Sequence, residues 1–199
     1  MDAVIFDFDG VVIDSERHWE PAMEELLARL IPSWRAGDNA RLLTGGNLRD
    51  NYDRLREEYG VSFAWEEFEA DVARLTERIY GEDAREIPGV RALLSSLAEE
   101  GVPIGLASSS RAAWIERGLT HLGLSERFPL RATGDGLEPG QGKPAPHLYR
   151  KAAEMLGVDP AGCVAIEDSR NGVTAAVAAG MCCIGLRNGV NDLQDLSAA

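Results

Sequence analysis

Two aspartates near the start of the chain, Asp7 and Asp9, follow an apolar run and are the first residues whose types suggest chemistry. A buried strand rarely carries carboxylates without a partner, because desolvating a carboxylate is costly. Side chains two residues apart on a strand share a face, so these carboxylates begin about 6.6 Å apart. If Gly10 lets the chain turn, both can approach one point at the strand end. The pair predicts a hard cation such as Mg²⁺, and acids that simply face water are the alternative.

A serine run at residues 108–110 follows a second apolar segment, and a helical segment begins directly after it. Serine hydroxyls and the free N–H groups at a helix start bind anions. The pattern therefore predicts that Ser108 and Ser109 hold an anionic group. A serine that only caps the helix is the alternative for this stretch taken alone.

Lys143 lies in the stretch Gly-Lys-Pro-Ala-Pro, whose two prolines stiffen the loop. Of the 20 basic residues, only Lys143 and Lys151 are lysines, so a lysine is unusual in this arginine-rich chain. A compact ammonium group can contact a phosphate and a carboxylate together. An ordinary surface lysine is the alternative when this stretch is considered by itself.

A third apolar strand ends in two acids, Glu167 and Asp168, again before a helical segment. Three predicted strands thus place polar groups at their carboxyl ends, which is where open α/β sheets bind ligands. This repetition favours one shared site over three unrelated surface features.

Taken in order, the four stretches DFDGVVIDSE, ASSS, GKPAP and IEDSRNG resemble the haloacid dehalogenase superfamily, in its branch of phosphatases and β-phosphoglucomutase-like enzymes. The resemblance covers nearly the whole chain and is most specific in the core. It implies a phosphoric monoester hydrolase with Mg²⁺ as cofactor. The implied fold is a Rossmann-like α/β parallel sheet with helices on both faces and an inserted all-α cap.

The resemblance also implies a role for each matching residue. Asp7 is the nucleophile that takes the phosphoryl group as an aspartyl phosphate, and Asp9 is the general acid and base. Ser108, Ser109 and Lys143 bind the phosphate, and Lys143 also contacts the nucleophile. The implied metal ligands are Asp7, Asp9, Glu167 and Asp168.

The pattern along the chain indicates which elements position these residues. Strand-like runs lie near 3–7, 103–108, 130–133, 163–167 and 182–186, and helical stretches lie at 89–100, 111–122, 146–156 and 171–179. This alternation predicts a parallel sheet covered on both faces. Residues 15–85 show amphipathic helical patterns and no strand. We expect a catalytic core at 1–14 and 86–199 and a helical cap at 15–85 that closes over the site.

Substrate choice is expected to depend on the cap. The candidate residues are Thr44, Gly45, Gly46, Asn47 and Arg49 around a loop between two helices, and His18 near the entrance. A flexible helix–helix turn is the alternative for this loop. Sugar-phosphate mutases of the branch carry a lysine where this chain has Thr44, a histidine where it has Trp19 and an asparagine where it has Ala112. These departures favour a phosphatase over a mutase, and the intact core motifs disfavour an inactive binding protein.

Composition limits the binding partners and the cellular compartment that we expect for this protein. A net charge of −13 argues against nucleic acid or an anionic membrane as a partner. No apolar run reaches about 18 residues, and the first strand begins by residue 3, so we expect neither a membrane span nor a signal peptide. Cys163, Cys182 and Cys183 lack metal-ligand spacing and are typical of reduced core residues in the cytoplasm. We expect a monomer that acts on a small phosphorylated substrate.

Overall fold

Five parallel strands form one sheet in the computed structural model, which describes residues 1–38, 48–138 and 140–199. The strands are β1 (Ala3–Phe6), β2 (Ile104–Ala107), β3 (Arg131–Ala132), β4 (Cys163–Glu167) and β5 (Cys182–Gly185). Their order across the sheet is β3-β2-β1-β4-β5, so β1 lies in the centre. From β1 the chain adds β2 and β3 on one side and then β4 and β5 on the other side, as in doubly wound sheets. The predicted Rossmann-like α/β fold is confirmed.

Helices alternate with the strands after β2, as the pattern along the chain predicted. Within the described ranges the α-helices are α1 (Glu16–Leu30), α2 (Leu48–Tyr59), α3 (Trp65–Arg78), α4 (Val90–Glu99), α5 (Ala112–Leu122), α6 (His147–Leu156) and α7 (Arg170–Ala179). A π-helical turn, Ile79–Asp83, continues α3 without a break. None of these helices is both long enough and apolar enough to cross a membrane.

The two faces of the sheet carry different helices. Alternate residues of a strand point to opposite faces. Val4 and Phe6 accordingly pack in the cluster that includes α4 and α5, whereas Ala3 and Ile5 pack in the cluster that includes α6 and α7. Every residue of β1 is buried as a result, which explains why the strand is apolar at each position.

The edge strand β5 is covered on one side only. Cys183 is buried, whereas Cys182 and Ile184 are exposed. The prediction that all three cysteines lie in the core is therefore wrong for Cys182, because its side chain points to the open face of the edge strand. The burial of Cys163 and Cys183 agrees with that prediction.

The helices α1, α2 and α3 pack around an apolar cluster of their own, and we call residues 15–85, which contain them, the helical insert. The buried members of the cluster are Met23, Leu26, Leu27, Ile31, Tyr52, Leu55, Phe68 and Val72. The described residues between 15 and 85 include no strand, in agreement with the amphipathic pattern. The insert thus has a core separate from the two clusters on the sheet.

The two connections between the insert and the sheet run side by side. The N–H of Asp14 donates to the carbonyl of Arg85 at 2.9 Å, and the N–H of Ile87 donates to the carbonyl of Val12 at 3.0 Å. Tyr80, in the π-helical turn, packs in the sheet cluster that contains α5 and not in the insert cluster. The chain therefore already packs against the sheet at Tyr80, before it reaches the second connection at Arg85 and Ile87.

Gly118 of α5 permits the close packing of this helix against the π-helical turn. A Cβ at this position would lie 2.8 Å from the ring of Phe8 and 3.2 Å from the ring of Tyr80. We expect Gly118→Ala to lower the free energy of unfolding by about 1–2 kcal/mol, because overpacking outweighs the better helix propensity of alanine.

Urea denaturation measures this change in unfolding free energy. Gly142→Ala is the control, since an added Cβ there meets no described neighbour within 4 Å. A Gly118→Ala protein as stable as wild type would mean that α5 moves away from the turn at no cost.

Candidate active site

Three neighbouring strands end at one edge of the sheet and deliver polar groups there. Asp7 follows β1, Ser108 follows β2, and Glu167 is the last residue of β4. These three residues and Asp168 are all buried. A cavity of about 390 Å³ at this edge is lined in part by Asp7, Asp9, Ser108, Ser109, Lys143 and Asp168. The structure thus brings together the core residues that the sequence motifs identify.

Lys143 lies between two carboxylates in the interior. Its Nζ is 2.6 Å from Asp7 Oδ1 and 2.5 Å from Glu167 Oε1, and its side chain is only 8% exposed. Burial alone would lower the pKa of Lys143, but the charges of Asp7 and Glu167 outweigh burial and raise this pKa above its ordinary value. The ammonium group therefore stays charged. The alternative, that Lys143 is an ordinary surface lysine, is excluded.

The Glu167 carboxylate accepts hydrogen bonds from five donors. Its Oε1 accepts from Lys143 Nζ and from the Tyr149 hydroxyl at 2.9 Å. Its Oε2 accepts from the N–H of Asp168 and from the N–H and the hydroxyl of Ser169, at 3.0 to 3.1 Å. A carboxylate offers about four lone-pair directions, so these five donors already occupy those of Glu167, and metal binding by Glu167 stays a prediction from the resemblance. In this arrangement Glu167 anchors Lys143 and the start of α7.

Three buried carboxylates and one ammonium group leave the site with an excess of negative charge. Oxygens of Asp7, Glu167 and Asp168 lie within 4.8 Å of one another. Burial raises the pKa of Asp7 well above its usual range, although Lys143 acts in the opposite direction. Burial and the charges of Glu16 and Glu167 raise the pKa of Asp168 to about 8. The excess charge and the oxygen donors fit a hard cation, and within this cluster Asp7 and Asp168 have fewer protein donors than Glu167.

Asp168 is oriented by the loop that follows β1 and by the segment that follows β5. Asn188 Nδ2 donates to Asp168 Oδ2 and to the carbonyl of Gly10, both at 2.9 Å. Gly10 has a φ of +77°, and a Cβ on it would lie 2.0 Å from Asp168 Oδ2. Gly10 therefore makes the turn expected after the two aspartates, and it also makes room for the carboxylate.

Asp9 lies apart from this carboxylate cluster in the described structure. Its Oδ1 accepts from the Ser15 hydroxyl at 2.5 Å and from the Tyr80 hydroxyl at 2.6 Å. Its Oδ2 accepts from the Ser110 hydroxyl at 2.6 Å. Burial and the charge of Asp9 raise the pKa of Tyr80 well above its ordinary value, so the phenol keeps its proton and donates. Metal binding by the Asp9 side chain stays a prediction from the resemblance.

Ser108 and Ser109 of the serine run after β2 line the cavity, and neither caps a helix. Ser108 Oγ accepts the N–H of Ser110 at 3.0 Å, and the exposed Ser109 lines the cavity. The N-cap residue of α5 is Arg111, which makes no side-chain cap bond. Ser108 and Ser109 are therefore placed where they could bind an anion, and helix capping does not account for them.

The candidate specificity residues are only partly described. Thr44, Gly45, Gly46 and Asn47 lie outside the described residues. Arg49 of α2 is 3.5 Å from Asp53, and its guanidinium lies 5.0 Å from the centre of the Trp65 ring. His18 Nε2 lies 3.8 Å from Asp14 Oδ1, next to the first connection. Arg49 and His18 thus have partners within or beside the insert, and their role in specificity stays a prediction.

Sequence reasoning missed several residues that support the site. These residues are Ser15, Tyr80, Tyr149 and Asn188, whose contacts are given above. Ser15 lies inside the DFDGVVIDSE motif, but the resemblance gave it no role of its own. Tyr80, Tyr149 and Asn188 carry no local signal, because a tyrosine or asparagine is ordinary in a helix or a turn.

The chain belongs to the haloacid dehalogenase-like hydrolases, since the model of that family matches residues 1–180. The family resemblance drawn from the four motifs is thereby confirmed. Among its relatives, hexitol phosphatase B of Escherichia coli (strain K12) is 35% identical over 182 residues, covering 90% of this chain and 80% of that protein. Beta-phosphoglucomutase of Bacillus subtilis (strain 168) is 32% identical over 201 residues, covering 95% and 84%.

A solved structure shares the fold of this chain. The crystal structure of CbbY from Rhodobacter sphaeroides in complex with phosphate matches with a TM-score of 0.83 and 25% identity, covering 100% of this chain and 92% of that chain. The similarity therefore extends over the sheet and the helical insert together.

The raised pKa of Asp168 predicts how stability depends on pH when no cation is bound. Between its ordinary pKa of 3.8 and its folded value of about 8, the folded protein binds more protons at Asp168 than the unfolded chain does. The free energy of unfolding therefore falls as pH rises through this window. We expect the melting temperature in EDTA to be lower at pH 8 than at pH 5.5, and a divalent cation to reduce the difference.

Asp168→Asn, which carries no charge at this position, should show a smaller decrease between the two pH values. Asp2→Asn, at an exposed position before β1, serves as the control and should keep the wild-type decrease. An Asp168→Asn protein with the full wild-type decrease would contradict the prediction.

Proposed function

We propose that this protein is a Mg²⁺-dependent phosphatase that hydrolyses a small phosphorylated metabolite through an aspartyl phosphate. The observation that carries this proposal is the position of Lys143, which bridges Asp7 and Glu167 at the edge of the sheet, where oxygens of Asp7, Glu167 and Asp168 lie within 4.8 Å of one another. Membership of the hydrolase family and the phosphatases among the relatives support it. A nucleophilic carboxylate, a fixed positive charge and a candidate cation site are the groups that this reaction needs.

Asp7 is the proposed nucleophile. One of its oxygens bonds to phosphorus while the bond between phosphorus and the leaving oxygen breaks, which divides the hydrolysis into two easier displacements. Lys143 neutralises charge on Asp7 and on the phosphate, and Ser108 and Ser109 orient the phosphate oxygens. Asp7 and Asp168 would hold Mg²⁺, which supplies further positive charge to the phosphoryl oxygens when it is bound.

Asp9 is the proposed general acid and base. In the first step it gives a proton to the leaving oxygen. In the second step a water molecule attacks phosphorus, Asp9 takes the proton from this water, and the bond to Asp7 breaks to restore its carboxylate. The three hydroxyl donors around Asp9 support this assignment, since they hold the side chain beside the cavity and not in the carboxylate cluster.

The substrate class is proposed from the relatives and from the geometry of the core. Hexitol phosphatase B is named for phosphorylated polyols, and the core residues are committed to phosphate and cation, which leaves the rest of the substrate to the insert. A β-phosphoglucomutase-like activity is the alternative that the Bacillus relative favours. The residues Thr44, Trp19 and Ala112 disfavour it. A screen of hexitol phosphates, sugar phosphates and phosphoglycolate, scored separately for phosphate release and isomerised product, decides between the two.

The first test of the proposal is the hydrolysis of p-nitrophenyl phosphate. We expect wild-type activity to require Mg²⁺ and to disappear with EDTA. Asp7→Asn removes the nucleophilic charge but keeps the shape, so it should lower kcat by more than about 10³-fold. Asp2→Asn is the matched control and should retain activity. An Asp7→Asn protein with near-normal turnover and an unchanged melting temperature would exclude the aspartyl-phosphate mechanism.

The second test separates the two steps with an Asp9→Asn variant. The p-nitrophenolate leaving group needs no proton, so the variant should still phosphorylate Asp7 and release about one equivalent of product in a burst. The following steady state should be about 10²–10⁴-fold slower than wild type, because no base activates the water. Rapid-mixing absorbance measures both phases. Loss of the burst would assign Asp9 to another role.

A further inference from the structure

The hydroxyl of Tyr80 reaches Asp9 across a separation of 71 residues in the chain. Its oxygen lies 2.6 Å from Asp9 Oδ1, and the residue is only 4% exposed. Tyr80 belongs to the π-helical turn at the end of the insert, whereas Asp9 follows the central strand. A buried hydroxyl that donates to a carboxyl group at this distance makes a strong hydrogen bond.

The ring of Tyr80 is held between two other aromatic rings. It stacks on Phe8 with the centroids 6.1 Å apart and the planes inclined by 8°, and on Trp114 with the centroids also 6.1 Å apart. Phe8 lies between Asp7 and Asp9, and Trp114 belongs to α5. The stack therefore fixes the direction in which the hydroxyl points, independently of its hydrogen bond.

The donors to Asp9 come from three different parts of the fold. Ser15 lies at the start of the insert, Tyr80 at its end, and Ser110 on the loop after β2. A serine hydroxyl can turn its hydrogen and so either donate or accept. Tyr80 is the rigid member of the three, because its ring is stacked and buried.

We propose that Tyr80 is a positioning residue for the proton transfer by Asp9, which its hydroxyl holds toward the cavity. The inference rests on the proposed function of Asp9 as acid and base. When Asp9 gives its proton to the leaving oxygen, its carboxylate becomes negative, and the hydrogen bond from Tyr80 strengthens as this charge develops. The effect is therefore largest for substrates whose leaving group needs the proton.

Two aryl esters of nearly the same shape test this inference. Phenolate leaves poorly without a proton, whereas p-nitrophenolate leaves readily. We expect Tyr80→Phe to lower kcat/KM for phenyl phosphate by about tenfold and for p-nitrophenyl phosphate by less than about twofold. The substitution keeps the ring and its stacking, so KM should change little.

Tyr52→Phe is the matched control. Tyr52 is also a buried tyrosine, 5% exposed, and its hydroxyl donates to the carbonyl of Phe63 at 2.8 Å within the insert. It makes no contact with Asp9, so its loss should lower the melting temperature about as much as Tyr80→Phe and leave the ratio between the two esters unchanged. An equal loss on both esters for Tyr80→Phe, or none, overturns the inference.

A double-mutant cycle shows whether Tyr80 acts through Asp9. Asp9→Asn combined with Tyr80→Phe should hydrolyse phenyl phosphate no more slowly than Asp9→Asn alone. A further loss in the double variant would place the effect elsewhere and overturn the inference. If Asp9→Asn is impaired and Tyr80→Phe is not, only the role of Tyr80 fails. If Asp9→Asn itself hydrolyses both esters at the wild-type rate, the proposed role of Asp9 fails first.

Discussion

The pairing of Lys143 with Asp7 and Glu167 is the interaction on which the rest of the site depends. The three groups are buried, and a buried charge without its partner costs several kcal/mol, so each requires the other two. The pairing also ties together separate parts of the fold: the loop after β3, the end of β1 and the end of β4. Glu167 extends it to the backbone at the start of α7 through Ser169. Packing at this edge of the sheet and the chemistry of the site therefore have the same physical basis.

The same pairing leaves the site with more negative charge than Lys143 balances. One ammonium group cannot balance Asp7, Glu167 and Asp168, and the raised pKa values of Asp7 and Asp168 express this excess. Glu167 already accepts five hydrogen bonds from the protein. The negative charge that has fewer protein partners therefore lies on the other two carboxylates. A cation at Asp7 and Asp168 would complete the balance, and together with Lys143 it would let an anionic phosphate approach Asp7, the proposed nucleophile.

The insert and the sheet meet at Asp9. Its carboxylate accepts hydrogen bonds from the first residue before α1, from the π-helical turn after α3, and from the loop after β2. The two connections are paired by the backbone hydrogen bond between Asp14 and Arg85, and Asp14 is the residue next to Ser15 in the chain. The residue proposed to move protons is therefore bonded to both ends of the insert. The position of the insert and the position of this carboxylate are linked by direct contacts.

The sequence by itself determined the sheet, its two covered faces and the core of the site. A strand buried on both faces must be apolar throughout, so Asp7, Ser108 and Asp168 stand out at the strand ends, and Lys143 stands out in a chain of arginines. Only the tertiary structure decided that Tyr80 meets Asp9, because local patterns report burial and not which side chains meet across 71 residues. The tertiary structure also decided the five donors on Glu167, Asn188 on Asp168, and the exposure of Cys182, which depends on the strand order placing β5 at the edge.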